Sequence, residues 1–447
     1  MNTPICDFVR QYSLNKNTRL HMPGHKGCGT LGFESLDITE INGADSLYEA
    51  NGIIAESENN ASRIFGCKTF YSTEGSSQCI RAMLYLVALY AKSQGEKPLI
   101  LAGRNAHKAF INAAAVIDFD VEWIFPEKDE SYMSCRISAE KLEKEITSLN
   151  CKPTAVYITN PDYLGNNIDI KSLSGVCKRH KILLIVDNAH GAYLKFLNNS
   201  QHPIDLGADL CCDSAHKTLP VLTGGAYLHI SNTVSDFFAD KSKDALALFG
   251  STSPSYLILQ SLDAANKYIN DGYKESLQNC IVDIHNLKNE LFKYGYNFVG
   301  NEPLKLTIET KKYGYFGYEF ADILESNKIF CEFSDPDYVV LMFTPETCLQ
   351  SIKMLKKVML SIKRKPEINI FPPKFYVPKK IFSIREAVFS ESETIQVNQS
   401  LGKILSVSDS VCPPAVPILI SGERISENSL KCFDYYGITH CKVIKQH

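Results

Sequence analysis

Five apolar runs in this chain each end in side chains able to do chemistry. KTFYST (68–73) leads into Glu74-Gly75-Ser76-Ser77-Gln78, and PLILAG (98–103) into Asn105 and His107. TAVYIT (154–159) leads into Asn160, Pro161 and Asp162. ILLIVD (182–187) ends in Asp187 with His190 just beyond, and ADLCCD (208–213) leads to Ser214, His216 and Lys217. Ser, Asn and Asp at such places often serve only as helix caps or turn residues. In an open parallel sheet, however, ligands gather where the strands end, and five strand ends of complementary chemistry converge here.

A Gly-Ser-Ser turn opening a helix offers free backbone N–H groups, two hydroxyls and a positive dipole end, which suit a phosphate. An aspartate closing an apolar strand is costly unless it meets a cation, and a protonated ring nitrogen is one. A histidine beyond another strand can lie over an aromatic ring. A lysine past the aspartate can form a Schiff base, because partial desolvation lowers its pKa. Phosphate, pyridinium, ring face and aldehyde together describe pyridoxal 5'-phosphate. His-Lys occurs four times, at 25–26, 107–108, 180–181 and 216–217. Lys26 and Lys108 have no strand leading straight into them, and Lys181 precedes ILLIVD at the wrong end of the sheet. Lys217 alone follows a buried strand by a short turn.

Short apolar runs alternating with amphipathic helical patterns predict an α/β fold with a mostly parallel sheet covered by helices on both faces. Residues 1–50, rich in Gly, Pro and polar side chains, read as an irregular arm; 51–265 carry the large cofactor-binding domain. A smaller α+β domain is expected over 266–368. The proline-rich EINIFPPKFYVPKK opens a C-terminal domain at 369–447.

At 447 residues with 45% hydrophobic and 22% charged side chains, the chain is long enough for several domains. A net charge of −3 gives no field for nucleic acid or an anionic membrane. Fifteen scattered cysteines without C-x-x-C spacing suit a reducing cytoplasm rather than zinc or disulfides. The N-terminus lacks the apolar core of a signal peptide, and no run of 18 apolar residues occurs. Gly27-Cys28-Gly29-Thr30-Leu31-Gly32 matches the dinucleotide fingerprint, but HMPGHK precedes it where a strand should be. His21 and His25 have zinc-helix spacing, yet Pro23-Gly24 between them breaks a helix. No metal is expected.

HMPGHKG (21–27), DITEINGADSL (37–47), EGSS (74–77), NAHKA (105–109), VDNAHGAY (186–193), DSAHKTLPVLTGGAYLH (213–229) and GSTSPSYLILQSLDAA (250–265) resemble the Orn/Lys/Arg decarboxylases in their short form without an N-terminal wing. These are pyridoxal-phosphate enzymes of the aminotransferase-like fold type I. SLGKILSVSDSVCPPAVPILISGERI (400–425) is similar to that family's C-terminal domain. The resemblance implies that Lys217 forms the Schiff base, Asp187 pairs with the pyridine nitrogen and His107 stacks on the ring. It also implies that Ser76, Ser77 and Ser214, beside Gly75, hold the phosphate. His190 would approach the ring hydroxyl or the substrate carboxylate, and His216 the reacting carbon. The segment of Ser251 and Thr252 resembles a loop that enters a partner subunit's site, so a homodimer or larger homo-oligomer is implied.

The family's D-E-A-H-G-A-H becomes Asp187-Asn188-Ala189-His190-Gly191-Ala192-Tyr193, and its Y-P-P-G-I-P becomes Cys412 to Pro417. Its Asn-Gly before the phosphate turn becomes Glu74-Gly75. The expected reaction is decarboxylation of lysine, arginine or ornithine, within polyamine metabolism. Transamination on the same cofactor, or a non-catalytic pyridoxal-binding protein, are the alternatives. Asp45, Glu49, Glu74, Asp162 and Glu423 are candidates to read a basic side chain. Arg104, the arginine at a strand end in 60–230, is expected to face solvent or phosphate.

Overall fold

The computed structural model describes residues 1–126, 131–347, 349–374, 376–408 and 415–445. From the N-terminus the elements run α1 (Pro4–Leu14), α2 (Ile53–Phe65), β1 (Lys68–Ser72), α3 (Gly75–Ser93), β2 (Leu99–Gly103), α4 (Lys108–Ile117) and β3 (Asp120–Ile124). They continue through α5 (Ala139–Ser148), β4 (Ala155–Thr159), α6 (Ile170–His180), β5 (Leu183–Asp187), β6 (Leu210–Asp213), α7 (Ala215–Thr218) and β7 (Ala226–Ile230). The chain forms two compact units, Met1–Glu96 with Cys177–Leu277, and Lys97–Val176 with Gln278–His447.

In the first unit the strand order is β1-β7-β6-β5. β5 and β6 are parallel, with Asp187 opposite Cys212. β7 runs antiparallel to both β6 and β1. A parallel crossover needs a dozen or more residues, usually with a full helix. The link from β6 to β7 holds only the single turn α7, so β7 returns antiparallel. α3 packs on β1, β6 and β7 through an apolar face that includes Ile80, Met83, Leu84 and Val87.

Residues 1–50 are less irregular than their composition suggests, because α1 occupies Pro4–Leu14. The Asp263 carboxylate accepts from the N–H groups of Ile5 and Cys6, 3.0 Å each. It thereby satisfies donors that the helix start leaves open, from a residue far along the chain. The Gly27–Gly32 stretch has no strand before it, and only the single 3₁₀ turn Glu34–Leu36, not an α-helix, after it. His25 bonds Asp37 at 3.1 Å while His21 meets Tyr12 at 2.6 Å, so the two histidines serve different partners.

In the second unit β2 lies between β3 and β4, all parallel. An antiparallel sheet follows, formed by β8 (Phe298–Val299), β9 (Lys305–Glu309), β10 (Phe333–Ser334) and β11 (Tyr338–Met342), in the order β10-β11-β9-β8. Residues 363–374 carry no helix or strand. Beyond them β12 (Ser392–Gln396), β13 (Leu405–Val407) and β14 (His440–Ile444) form a three-stranded sheet around Leu405, Leu419, Phe433 and Val443. Among the described residues no helix is long and apolar enough to cross a membrane. Cys67 and Cys79 are buried in the first unit, and burial pushes the Cys79 thiol up to about 12.

Candidate active site

Most of the candidate side chains lie in the first unit, where β5, β6 and the start of α3 present their ends. Asp187 closes β5 at 2% exposure. Its carboxylate accepts from the Ala189 N–H at 3.2 Å, and the Cys212 thiol of the adjoining strand lies 3.7 Å away. The following turn is pinned to β6 by the Asn188 N–H to the Cys212 carbonyl, 2.9 Å, and closes through Gly191 N–H to the Asn188 carbonyl, 2.8 Å. That turn carries His190, whose Nε2 is 3.0 Å from Lys217 Nζ.

Lys217 sits in α7 rather than on a strand, so a single helical turn lifts its amine off the end of β6. The turn is anchored by Lys217 N–H to the Ser214 carbonyl, 3.0 Å. His216 Nδ1 bonds the Gly225 carbonyl at 3.0 Å. A carbonyl only accepts, so that nitrogen carries the proton. One ring nitrogen of His216 thereby helps hold the turn before β7.

The start of α3 is built for close approach. Gly75 has φ +72° and donates its N–H to the Gly224 carbonyl at 2.7 Å. Gly224, at φ +101°, passes so near the Thr73 carbonyl that a Cβ there would come within 2.8 Å. Glu74 at the N-cap gives no side-chain cap to the helix. Ser214 Oγ donates to Ser76 Oγ at 2.7 Å, joining the hydroxyls of two elements at one point beside the amides of the first turn. Ser77 follows on the same turn. Ser251 and Thr252 are exposed, and the Ser251 N–H bonds the Glu74 carboxylate. In the second unit His107 caps α4, with Nδ1 accepting from the Ala109 N–H at 3.1 Å. Its neutral form therefore carries the proton on Nε2.

The donor set of the first unit fits a phosphorylated pyridine aldehyde. Hydroxyls and helix amides suit the phosphate, a carboxylate buried at a strand end suits a protonated ring nitrogen, and an amine held by an imidazole suits the aldehyde. Residues 3–299 match the family model described as Orn/Lys/Arg decarboxylase, major domain.

The chain belongs to the Orn/Lys/Arg decarboxylase family.

The arginine decarboxylase of Halalkalibacterium halodurans is 29% identical, covering 96% of this chain and 92% of the relative. The uncharacterized protein YaaO of Bacillus subtilis is 27% identical, covering 96% and 93%. The lysine decarboxylase LdcF of Francisella novicida superposes with a TM-score of 0.80 at 16% identity over 99% of this chain and 81% of that one. The fold is therefore fold type I, and pyridoxal phosphate is the family's cofactor.

Arg104 is not where its sequence suggested. It is 2% exposed and bonds the Glu423 carboxylate at 2.9 Å and the carbonyls of Pro417 and Ile418 at 3.3 and 3.2 Å, with its guanidinium 5.5 Å from the Trp123 ring centre. Planar, five-donor geometry explains why arginine fills a place lined by carbonyls. Burial pulls Arg104 below its ordinary value and Glu423 above its own. Removing one member strands the other, so Glu423→Gln is expected to lose about 3–5 kcal/mol of unfolding free energy. The Arg104→Met/Glu423→Leu double variant should recover most of it in denaturant titrations. Equal losses in both would show that the charges do not depend on each other.

The remaining acids separate by geometry. Asp45 accepts from the N–H groups of Gly52 and Ile54 at the start of α2, and Asp162 bonds Ser134 and Asn166. With Glu423 on Arg104, these three are buried and engaged by the protein itself, whereas Glu49 is exposed and Glu74 is exposed while accepting from the Ser251 N–H. Of the departures from the family pattern, Tyr193 is fully buried and Asn188 bonds Asp213 at 2.7 Å. Cys412 lies outside the described residues. Sequence reasoning passed over Asp213, His202 and His229, which are fully buried together. The usable signal was an acid ending the apolar run ADLCCD, the same feature that singled out Asp187.

Proposed function

We propose that this chain decarboxylates a basic amino acid, lysine, arginine or ornithine, to its amine with pyridoxal phosphate. The observation that carries the reading is the 3.0 Å contact of Lys217 with His190 one turn past β6, beside the buried Asp187 that closes β5. When bound, the cofactor supplies an aldehyde for the amino group and a protonated ring that accepts the electrons released with carbon dioxide. Asp187 would hold the proton on the ring nitrogen. Ser76, Ser77, Ser214 and the Gly75 turn would bind the phosphate, and His107 would cover the ring. His190 can take a proton from Lys217 and so leave the amine nucleophilic. His216 keeps the turn carrying Lys217 in place. Glu49 and Glu74 are the acids best placed by exposure to meet a cationic side chain.

Transaminases of this fold usually clamp the substrate carboxylate in the ring plane with an arginine. Arg104, the strand-end arginine, is engaged with Glu423. A carboxylate left without a strong guanidinium partner departs more readily, because that pairing would stabilise the ground state more than the transition state. Screening basic amino acids by mass spectrometry should therefore show amine and carbon dioxide without any oxo-acid acceptor. Stoichiometric consumption of 2-oxoglutarate with no carbon dioxide would make transamination the correct reaction.

We further assign the enzyme to the cytoplasm and to polyamine metabolism. The domain division is 1–50, 51–265, 266–368 and 369–447, and the active form is a homodimer or larger homo-oligomer. The exposed Ser251–Ser253 segment suits a loop that completes a neighbour's site. Mixing an inactive Lys217→Ala protein with an inactive Thr252 loop variant is expected to restore activity through hybrids carrying one intact site. Full activity of a demonstrably monomeric form would refute the shared site.

A further inference from the structure

One residue beyond the strand pairing of Asp187 with Cys212, a second acid is buried deeper. Asp213 closes β6 at 0% exposure. Its Oδ2 accepts from His202 Nε2 and His229 Nε2, 3.1 Å each, and both imidazoles are fully buried. Its Oδ1 accepts from Asn188 Nδ2 at 2.7 Å. Asn188 is the position at which the family pattern has an acid and this chain has an amide. The charge absent from the turn after β5 is thus present on β6, across a single hydrogen bond.

The proton inventory of this cluster is legible. His202 Nδ1 is buried with no hydrogen-bond partner among the described residues, so a proton there would face no acceptor. His229 Nδ1 lies 3.0 Å from Thr69 Oγ1 and 3.6 Å from Cys67 Sγ. A proton on that nitrogen has an oxygen acceptor, so His229 is the imidazole able to carry the counter-charge of Asp213. The Asp213 charge raises His229 above the ordinary histidine value, and the histidines hold Asp213 well below the usual carboxylate range against its burial.

The space around Asn188 is kept for this bond. A Cβ on Gly191 would come within 2.0 Å of Asn188 Oδ1, so a larger residue there would displace the Asn188 side chain from this bond. On its other side Asp213 is followed directly by Ser214, whose hydroxyl meets Ser76. The acid therefore lies between the turn of Asp187 and His190 and the junction of the two serines.

We propose that Asp213 is a positioning residue for cofactor binding: through Asn188 it sets the turn that carries Asp187 and His190, and it replaces from β6 the acid that the family pattern places beside Asp187. This rests on the reading of the first unit as a pyridoxal-phosphate site. Asn188→Ala removes the link while leaving Asp213 its two histidines, so the fold is spared. Asp213→Asn removes the charge itself.

The expected result for each is a pyridoxal-phosphate dissociation constant raised at least tenfold in fluorescence titrations of apo-protein. The visible circular dichroism of the bound cofactor should change, while the apo-protein melting temperature of Asn188→Ala stays close to wild type. Because both variants break one chain of contacts, the double variant should bind no more weakly than the weaker single one. Asn188→Ala that binds within twofold of wild type with an unchanged dichroic band would overturn the proposal and leave Asp213 a buried structural acid. Stoichiometric zinc in the purified holoenzyme would also overturn it, by making Asp213, His202 and Cys211 metal ligands. Wild-type protein that binds no pyridoxal phosphate would instead remove the reading of the site on which the proposal rests.

Discussion

Asp187→Ala protein is expected to melt close to the wild-type temperature and to lose several orders of magnitude in turnover. The contacts of Asp187 include the Ala189 N–H and the Cys212 thiol. Shortening its side chain therefore removes little that holds β5 to β6, whose pairing is through the backbone. Its chemical consequence is larger. A carboxylate beside the ring nitrogen favours the protonated pyridine by direct charge attraction, and a neutral pyridine is a poor electron acceptor. If the site is dry, losing one member of a charge-assisted pair also weakens cofactor retention by about 2–5 kcal/mol. Saturating cofactor should restore occupancy without restoring turnover, which separates the two effects. An Asp187→Ala enzyme with near wild-type turnover would place the ring nitrogen elsewhere.

Asp187 stands out in the sequence because it ends an apolar strand with a charge, and Lys217 because it follows such a strand by a short turn; local sequence is enough to see both. The alternation of LILAG, AVYIT and LLIVD with amphipathic helices likewise reported an α/β core directly. What sequence concealed shares one property, namely partners far away along the chain. Sequence alone points Arg104 to solvent or phosphate because Glu423, its counter-ion, is 319 residues distant. α1 was read as irregular because its open N–H groups are satisfied by Asp263, not by a cap of its own. His229 sits within AYLHI, where a histidine looks like a packed core residue until β7 pairs with β6 and sets it against Asp213. The antiparallel course of β7 was hidden for a different reason: apolar periodicity is the same for either strand direction, and the link after β6 carries the single turn α7 in place of a full crossover helix.

The largest effect belongs to Lys217. Four His-Lys pairs compete for the role. Lys26 lies in a turn at φ +54°, Lys181 precedes β5 at the end opposite Asp187, and Lys108 opens α4 in the second unit. Lys217 is the one that α7 raises off the end of β6, with His190 Nε2 at 3.0 Å to receive a proton. The free base is the form that attacks an aldehyde, and the imidazole gives the proton leaving Lys217 a place to go. Reducing the holoenzyme with borohydride and digesting it should therefore place the pyridoxyl group on the Lys217 peptide. Lys217→Ala should lower turnover on the order of 10⁴-fold or more, as removing a nucleophile from a concerted site does. His190→Ala should keep the label on Lys217 while lowering turnover by about 10²-fold, the scale of one lost proton-transfer partner. A label on Lys26 or Lys108, or no label at all, would show that the amine of this site has been misassigned. A His190→Ala enzyme with wild-type turnover would show instead that Lys217 reaches its free base without the imidazole.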